Sequence, residues 1–340
     1  MRIGLIARMD NTGLGIQSKE FFDHIPCKVL AIDSIALGNS PVLNCYPDRF
    51  PGATIHKLRK GEHIPESLIQ SFIKDIDVLF CMETPYNYRF FSACREKRKK
   101  TILQFNYEFL EYPNNVLPTP DLFAAPSKWH YDDVPRNKVF LPVPVNTHKF
   151  NPKQELRTFV HVAGRPAIHD RNGTQTLLNA LQHVTEKVTV IIRATQRMSV
   201  RSPRSNVKLV VDDSYRHNYW EAYTGGVLPV IMPRKYGGLC LPINEALGAE
   251  MPVIAPDISP NNLWLPKEWL TPAKESIKLQ ARKTVDVYEP DARSLAAKID
   301  QFCDEGFYLN AVDKARGLKE SISWDSLLPL YHQTFEKLCS

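Results

Sequence analysis

The sequence predicts a two-domain α/β protein built from two parallel sheets. Three observations carry that expectation. Short apolar runs alternate with helical patterns, and the alternation restarts near mid-chain. A proline-rich stretch from Pro142 to Pro152 separates the two series and suits neither sheet's interior. With 340 residues, the chain can bury two cores of roughly 150 residues each.

In the first half, Ile3–Ala7, Cys27–Ile32, Ile76–Cys81, Thr101–Phe105, Leu122–Ala125 and Lys138–Leu141 read as strands. A basic helix lies around Phe91–Lys99. Strands spaced by helices imply right-handed crossovers and parallel pairing. The second half offers Thr158–Ala163, Val188–Ile192 and Val207–Val211. The apolar run Gly226–Pro233, a glycine loop, a short helix and the strand Pro252–Ala255 follow. Pro242 suits the first turn of that helix, where its missing N–H is not needed. The helix should stop near Glu250. A last amphipathic helix covers Ser323–Lys337, with Trp324, Leu327, Leu328, Tyr331 and Phe335 near helical spacing. Each half therefore reads as Rossmann-like, over 1–145 and 146–320, with 321–340 as a terminal helix.

The composition is that of a soluble globular protein, 43% hydrophobic and 24% charged. No apolar run approaches the roughly 18 residues that a membrane span needs. The start, Met1–Arg8, reads as a first strand and not as a signal peptide. The seven cysteines are scattered and form no Cys-x-x-Cys pair, which argues for reduced thiols in a cytoplasm and against a zinc site. A net charge of +6 permits an anionic ligand without specifying one.

The most informative stretch is Tyr236–Asp257, YGGLCLPINEALGAEMPVIAPD. A glycine loop feeding a helix N-terminus presents backbone N–H groups and a positive dipole end, which suit an anion. Glu245, inside that helix, suits the hydroxyls of a ribose. The segment resembles the donor-binding segment of retaining GT-B glycosyltransferases, the group 1 family that includes sucrose, glycogen and lipopolysaccharide glycosyltransferases. Gly237, Gly238, Leu239, Glu245, Ala246, Pro252, Val253 and Ile254 fit the family's signature. Gly237 takes the place of the family's first Glu, beside Lys235 and Tyr236.

The resemblance implies a GT-B fold, two Rossmann-like domains facing a central cleft. The first domain would take the acceptor and the second a nucleotide-diphosphate sugar, with the terminal helix crossing back to the first domain. In the loop Gly164-Arg165…Arg171-Asn-Gly173, Arg165 fits a family cation and Arg171 stands in for a Lys. Both would clamp the donor diphosphate and stabilise the leaving charge. Transfer would be retaining. No metal and no cofactor are expected beyond the nucleotide sugar as co-substrate.

Further candidates come from loops after strands, because carboxyl ends of parallel strands face the ligand crevice in such folds. Gly13 and Gly15, in Asp10–Gln17, would let backbone approach the donor. The missing third glycine leaves a dehydrogenase fingerprint incomplete. Glu83, Asn106, Tyr107 and Glu108 are candidates for gripping the acceptor, with Glu83 and Glu108 also placed for proton transfer. Asp213 and Tyr215 could line a nucleobase pocket.

Between Lys153 and Lys208, ten Lys/Arg face three acids. Arg193, Arg197, Arg201 and Arg204 form one basic run, and Arg95, Lys97, Arg98, Lys99 and Lys100 another. The start MRIGLIARMDNTGLGIQ also resembles small bacteriophage glycosyltransferases, which implies a protein of the host cytoplasm. With the basic runs, that leans the acceptor toward hydroxymethylated pyrimidine in phage DNA. The alternatives are a virion protein or other hydroxyl acceptor, a GT-B-fold epimerase, and a non-enzymatic nucleic-acid-binding protein. The sequence leaves the oligomeric state open.

Overall fold

The computed structural model describes residues 1–33, 47–59, 61–112, 116–134, 137–147, 155–164, 170–194, 197–214, 218–223 and 226–340. The chain divides into two compact units. The first comprises Met1–Val143 with Leu327–Ser340, and the second comprises Pro144–Ser326.

The first unit contains β1 (Ile3–Arg8), α1 (Gly13–His24), β2 (Cys27–Asp33), β3 (Thr54–Lys57), α2 (Glu66–Ile73), β4 (Val78–Met82), α3 (Arg89–Glu96), β5 (Lys100–Gln104), β6 (Leu122–Ala125) and β7 (Lys138–Phe140). Its seven strands order as β3-β2-β1-β4-β5-β6-β7 and pair in parallel throughout. Unbroken apolar runs explain the central strands. Ile3–Ala7 and all of β4 are buried, as strands covered on both faces must be. β3 is a mostly exposed edge strand, TIHK, which the apolar pattern does not mark.

The second unit repeats this plan. Its strands are β8 (Thr158–Gly164), β9 (Val188–Ala194), β10 (Val207–Asp212), β11 (Val230–Ile231), β12 (Val253–Pro256) and β13 (Leu270–Thr271). They order as β10-β9-β8-β11-β12-β13, again in parallel. Helices α4 (Thr174–Ala180) and α5 (Leu241–Gly248) follow β8 and β11. An antiparallel hairpin, β14 (Ala273–Gln280) with β15 (Thr284–Pro290), then leads to α6 (Ala292–Gln301) and α7 (Glu305–Ser321). In both sheets the strand order reverses beside the first strand, between β1 and β4 and between β8 and β11. Ligands of open α/β sheets bind outside the carboxyl ends of the strands at such a reversal.

The last helix, α8 (Trp324–Cys339), contributes residues from Leu327 onward to the first unit. There Phe335, fully buried, meets Phe21 and Phe80 edge-on, with ring centroids 6.1 and 5.7 Å apart. The Tyr331 hydroxyl donates to the Pro142 carbonyl at 3.0 Å. We expect Phe335→Ala to lower stability by about 3–5 kcal/mol, the usual cost of emptying a buried aromatic site. A urea midpoint unchanged from the parent's would show that this helix is not anchored by the aromatic cluster.

Candidate functional site

In the second unit, the chain leaves β8 and β11 at the reversal and enters two loops, Asp170–Gly173 before α4 and Met232–Cys240 before α5. Arg234 organises the second loop. Its Nε donates to the Tyr236 carbonyl at 3.0 Å and its Nη2 to the Leu239 carbonyl at 2.9 Å. Its Nη1 donates to Asn172 Oδ1 at 3.2 Å, and Asn172 Nδ2 donates to the Val162 carbonyl at 3.0 Å. One guanidinium thus ties the glycine loop to itself and to the neighbouring loop. The planar fork of arginine suits this multiple bonding, and a lysine could not reproduce it.

Arg171 reaches the same place. Its Nε lies 3.4 Å from the Tyr236 carbonyl, and its guanidinium carbon lies 4.8 Å from the centre of the Tyr236 ring. Gly237 adopts φ +108°. A Cβ there would fall 2.2 Å from Arg171 Nη2 and 2.8 Å from Arg234 Nη2. The backbone conformation therefore favours glycine, and any side chain there would also have to displace the two guanidinium ends. The position that the family resemblance reserves for an acid is filled by cations.

Lys235 is held differently. Its Nζ lies 2.7 Å from a Glu289 oxygen and 3.2 Å from Asp170 Oδ2. Burial works to lower its pKa, but the bonds to Glu289 and Asp170 outweigh this and hold the ammonium above the ordinary lysine value. Glu245 sits in α5 at only 5% exposure and accepts a hydrogen bond from the Tyr223 hydroxyl at 2.8 Å. Burial and the adjacent carboxylate push the Tyr223 pKa well up, so the phenol stays a donor. Gly238 and Leu239 complete the loop leading to α5. Arg165 and Tyr215 lie outside the described residues. Asp213 is exposed at the end of β10, the edge strand two places from β8, so it is not brought to the reversal.

His161 braces this region from within β8. Fully buried, its Nδ1 meets the Ile231 carbonyl and its Nε2 the Thr174 hydroxyl, each at 2.8 Å. The carbonyl can only accept, so Nδ1 carries the proton and the neutral ring takes the Thr174 proton at Nε2.

In the first unit, the reversal gathers a second cluster. Asp10, with no exposure, binds Arg8 at 2.8 Å (Nε) and 2.6 Å (Nη2), and its Oδ1 accepts from Thr12 N at 2.9 Å. Arg49 donates to the Asp10 carbonyl at 2.7 Å. Burial disfavours the Asp10 carboxylate, yet Arg8 and Thr12 prevail and leave its pKa below the usual value. Gly13 and Gly15 are not in a loop, as the sequence suggested, but form the first turn of α1. Gly15 packs on the strand end, where a Cβ would lie 1.9 Å from the Asp10 carbonyl oxygen. That contact accounts for the glycine without a ligand.

Glu83 adopts φ +63°, a left-handed conformation costly for a residue with a side chain. Its Oε2 accepts from Asn106 Nδ2 at 2.7 Å. Tyr107 stacks on His130 with centroids 4.2 Å apart and planes 11° apart. The structure thus joins Glu83 with Asn106 at the carboxyl ends of β4 and β5, with Tyr107 following β5. Glu108 is only 2% exposed.

The sequence does contain one Asp-x-Asp triplet, Asp75-Ile76-Asp77. It lies just before β4, at the amino-terminal edge of the sheet, and is tied to Lys28 and Arg2. Reasoning from sequence missed Arg234, Arg8 and Asp10. Arg8 ends β1, Asp10 lies two residues beyond it and Arg234 three beyond β11, and no residue pattern marks their roles.

No protein-family model and no curated protein matches the sequence. Solved structures do match over nearly the whole chain. The lipopolysaccharide outer core galactosyltransferase WaaB aligns with TM-score 0.64 and 12% identity, covering 99% of this chain and 100% of its own. Anabaena HepE, solved with UDP and glucose, aligns with TM-score 0.65 and 12% identity over 99% and 100%. A glycosyltransferase from Rickettsia africae aligns with TM-score 0.67 and 12% identity over 99% and 98%. The fold is therefore the GT-B fold of glycosyltransferases, two parallel-sheet Rossmann-like domains.

The His161 site yields a pH prediction. Burial, against the Ile231 hydrogen bond, lowers its pKa from 6.5 to about 4. The unfolded chain then binds more protons between those values, so stability is complete above about pH 6.5 and falls as pH drops toward about 4. The full contribution is about 3 kcal/mol. The His161 imidazole resonance should not titrate between pH 7 and 5. A midpoint near 6.5 would refute the assignment.

Proposed function

We propose that this protein is a nucleotide-sugar glycosyltransferase whose donor binds the second unit. The observation that carries the reading is the convergence of Arg171 and Arg234 on Gly237, in the loop that leads to α5. Two guanidinium groups and a helix N-terminus at a sheet reversal favour a compact, multiply charged anion such as a diphosphate. Glu245, fixed by Tyr223, supplies an acceptor for ribose hydroxyls. HepE, solved in complex with UDP, has the same fold, and this supports a nucleoside diphosphate as ligand. In this reading, Arg171, with Arg165, stabilises the charge that builds on the departing diphosphate. Transfer with retention, independent of a metal, is the mechanism we favour from the resemblance of the donor loop.

The acceptor is a hydroxyl compound gripped in the first unit by Glu83, Asn106 and Tyr107. Glu83, beside Asn106, is the candidate to assist its deprotonation. The lean toward phage DNA weakens once the basic runs are placed. Arg95 donates to the Thr119 carbonyl, and Lys99 to the Ile76 carbonyl. Both, with Lys97 and Arg98, precede β5, at the sheet's amino-terminal edge. Glu83 and Asn106 lie at the opposite edge, about 15 Å away along a strand of this length. Arg204 is spent on the Gln182 and Val184 carbonyls. Within the first unit, phosphates held by Arg95, Lys97, Arg98 and Lys99 would lie at the edge opposite Glu83 and Asn106, so a hydroxyl acceptor outside DNA is preferred.

A panel of labelled nucleotide-diphosphate sugars tests this directly, scored for donor hydrolysis and for transfer to sugar, protein and hydroxymethyl-pyrimidine DNA acceptors. We expect hydrolysis of at least one donor. We also expect Glu245→Gln to weaken its binding about tenfold, the cost of a lost charge-assisted hydrogen bond. No binding to any member of the panel would refute the enzyme reading. Label appearing only on DNA would restore the nucleic-acid acceptor and reject the one proposed.

A further inference from the structure

The β14–β15 hairpin lies outside both sheets, and most of β14 faces solvent. Val285 and Val287 anchor β15 at 1% and 4% exposure. The chemistry of the hairpin is concentrated at the end of β15, where Tyr288 and Glu289 meet the loop between β11 and α5. Tyr288 N donates to the Lys235 carbonyl at 2.9 Å. Glu289 accepts from the Lys235 ammonium at 2.7 Å and from the Thr176 hydroxyl on α4. Lys235 N in turn donates to the Arg171 carbonyl at 2.9 Å, and its Nζ lies 3.2 Å from Asp170. Through Lys235, the hairpin is bonded to both loops of the second unit's reversal and, through Thr176, to α4.

Lys235 stands in the chain between Arg234, whose guanidinium closes the glycine loop, and Tyr236, whose carbonyl that guanidinium binds. A displacement of Lys235 carries both ends of that closure with it. Its side chain is only 12% exposed and is held by two carboxylates, so it is a strut and not a ligand for an incoming anion.

We propose that Glu289 is a positioning residue that fixes the donor loop through Lys235, with the hairpin acting as a clip. This rests on the donor-site reading above. Without the clip, the loop samples arrangements that do not bind donor. Apparent affinity then falls by the fraction of competent loop, while turnover at saturation is kept.

Glu289→Gln keeps an oxygen for Thr176 and removes the charge that holds Lys235. In ligand-free protein, we expect faster amide exchange across residues 234–240, with Asp10–Gly15 of the first unit unchanged. General destabilisation would speed both. UDP, ADP and GDP, titrated in parallel, should show the best-binding nucleotide weakened about fivefold, the scale of a half-exposed ion pair. Donor KM should rise by the same factor, with kcat within about twofold. Lys235→Met should behave alike, and Lys235→Arg, which can still span both carboxylates, should restore the parental values. Unchanged exchange at 234–240 in both Glu289→Gln and Lys235→Met would overturn the clip. Faster exchange with unaltered affinity would overturn its role in donor binding. A parent that binds none of the three nucleotides would overturn the donor-site reading itself, with exchange still deciding whether the clip exists.

Discussion

The second unit's site depends on one side chain placed inside a loop. Arg234 gives its three kinds of N–H to two carbonyls of its own loop and to Asn172 of the next. A loop rich in glycine has a high entropy cost of ordering and few side chains to offset it. Charge-assisted bonds from a single guanidinium supply that order without filling the space where a ligand would lie. Gly237 suits this arrangement, since its positive φ favours glycine and a Cβ there would press on both guanidinium groups.

Around that centre, the fold distributes charge by rank of burial. Lys235 is neutralised by Asp170 and Glu289 and serves as a strut. His161 stays neutral and joins β8 to β11 and α4. Glu245 is kept in place by a phenol whose own ionisation is suppressed. The first unit applies the same logic differently. Its reversal buries an Arg8–Asp10 pair and closes the β1–α1 junction with Gly15 against a carbonyl. Two copies of one topology thus differ at the reversal, with two loops tied together by cations in one and a buried ion pair in the other.

Much of the fold was legible because central parallel strands are buried on both faces and appear as plain apolar runs. β1 and β4 were readable for that reason, while β9 showed an alternation of buried and half-buried positions. The elements that escaped carry little apolar signal. β3 is an exposed edge strand, and β14 reads AKESIKLQ, which shows no alternation against a core. At the site, Glu245 and the glycine loop were visible from strand–loop–helix order. Arg234 was passed over because its importance lies in bonds to backbone carbonyls, and no residue pattern announces those. Gly15, read with Gly13 as donor-side glycines, meets the Asp10 carbonyl, and a sequence does not separate a glycine needed for such packing from one needed for a phosphate.

The central claim is that a nucleoside diphosphate binds the loops at the β8/β11 reversal of the second unit. Amide chemical-shift mapping of isotope-labelled protein, titrated with the nucleoside diphosphate it binds, tests this most directly. The account predicts shifts confined mainly to Asp170–Gly173 and Arg234–Leu241, saturating together with one affinity. Shifts clustered instead at Arg8–Gly15, with the second unit's loops unmoved, would contradict it.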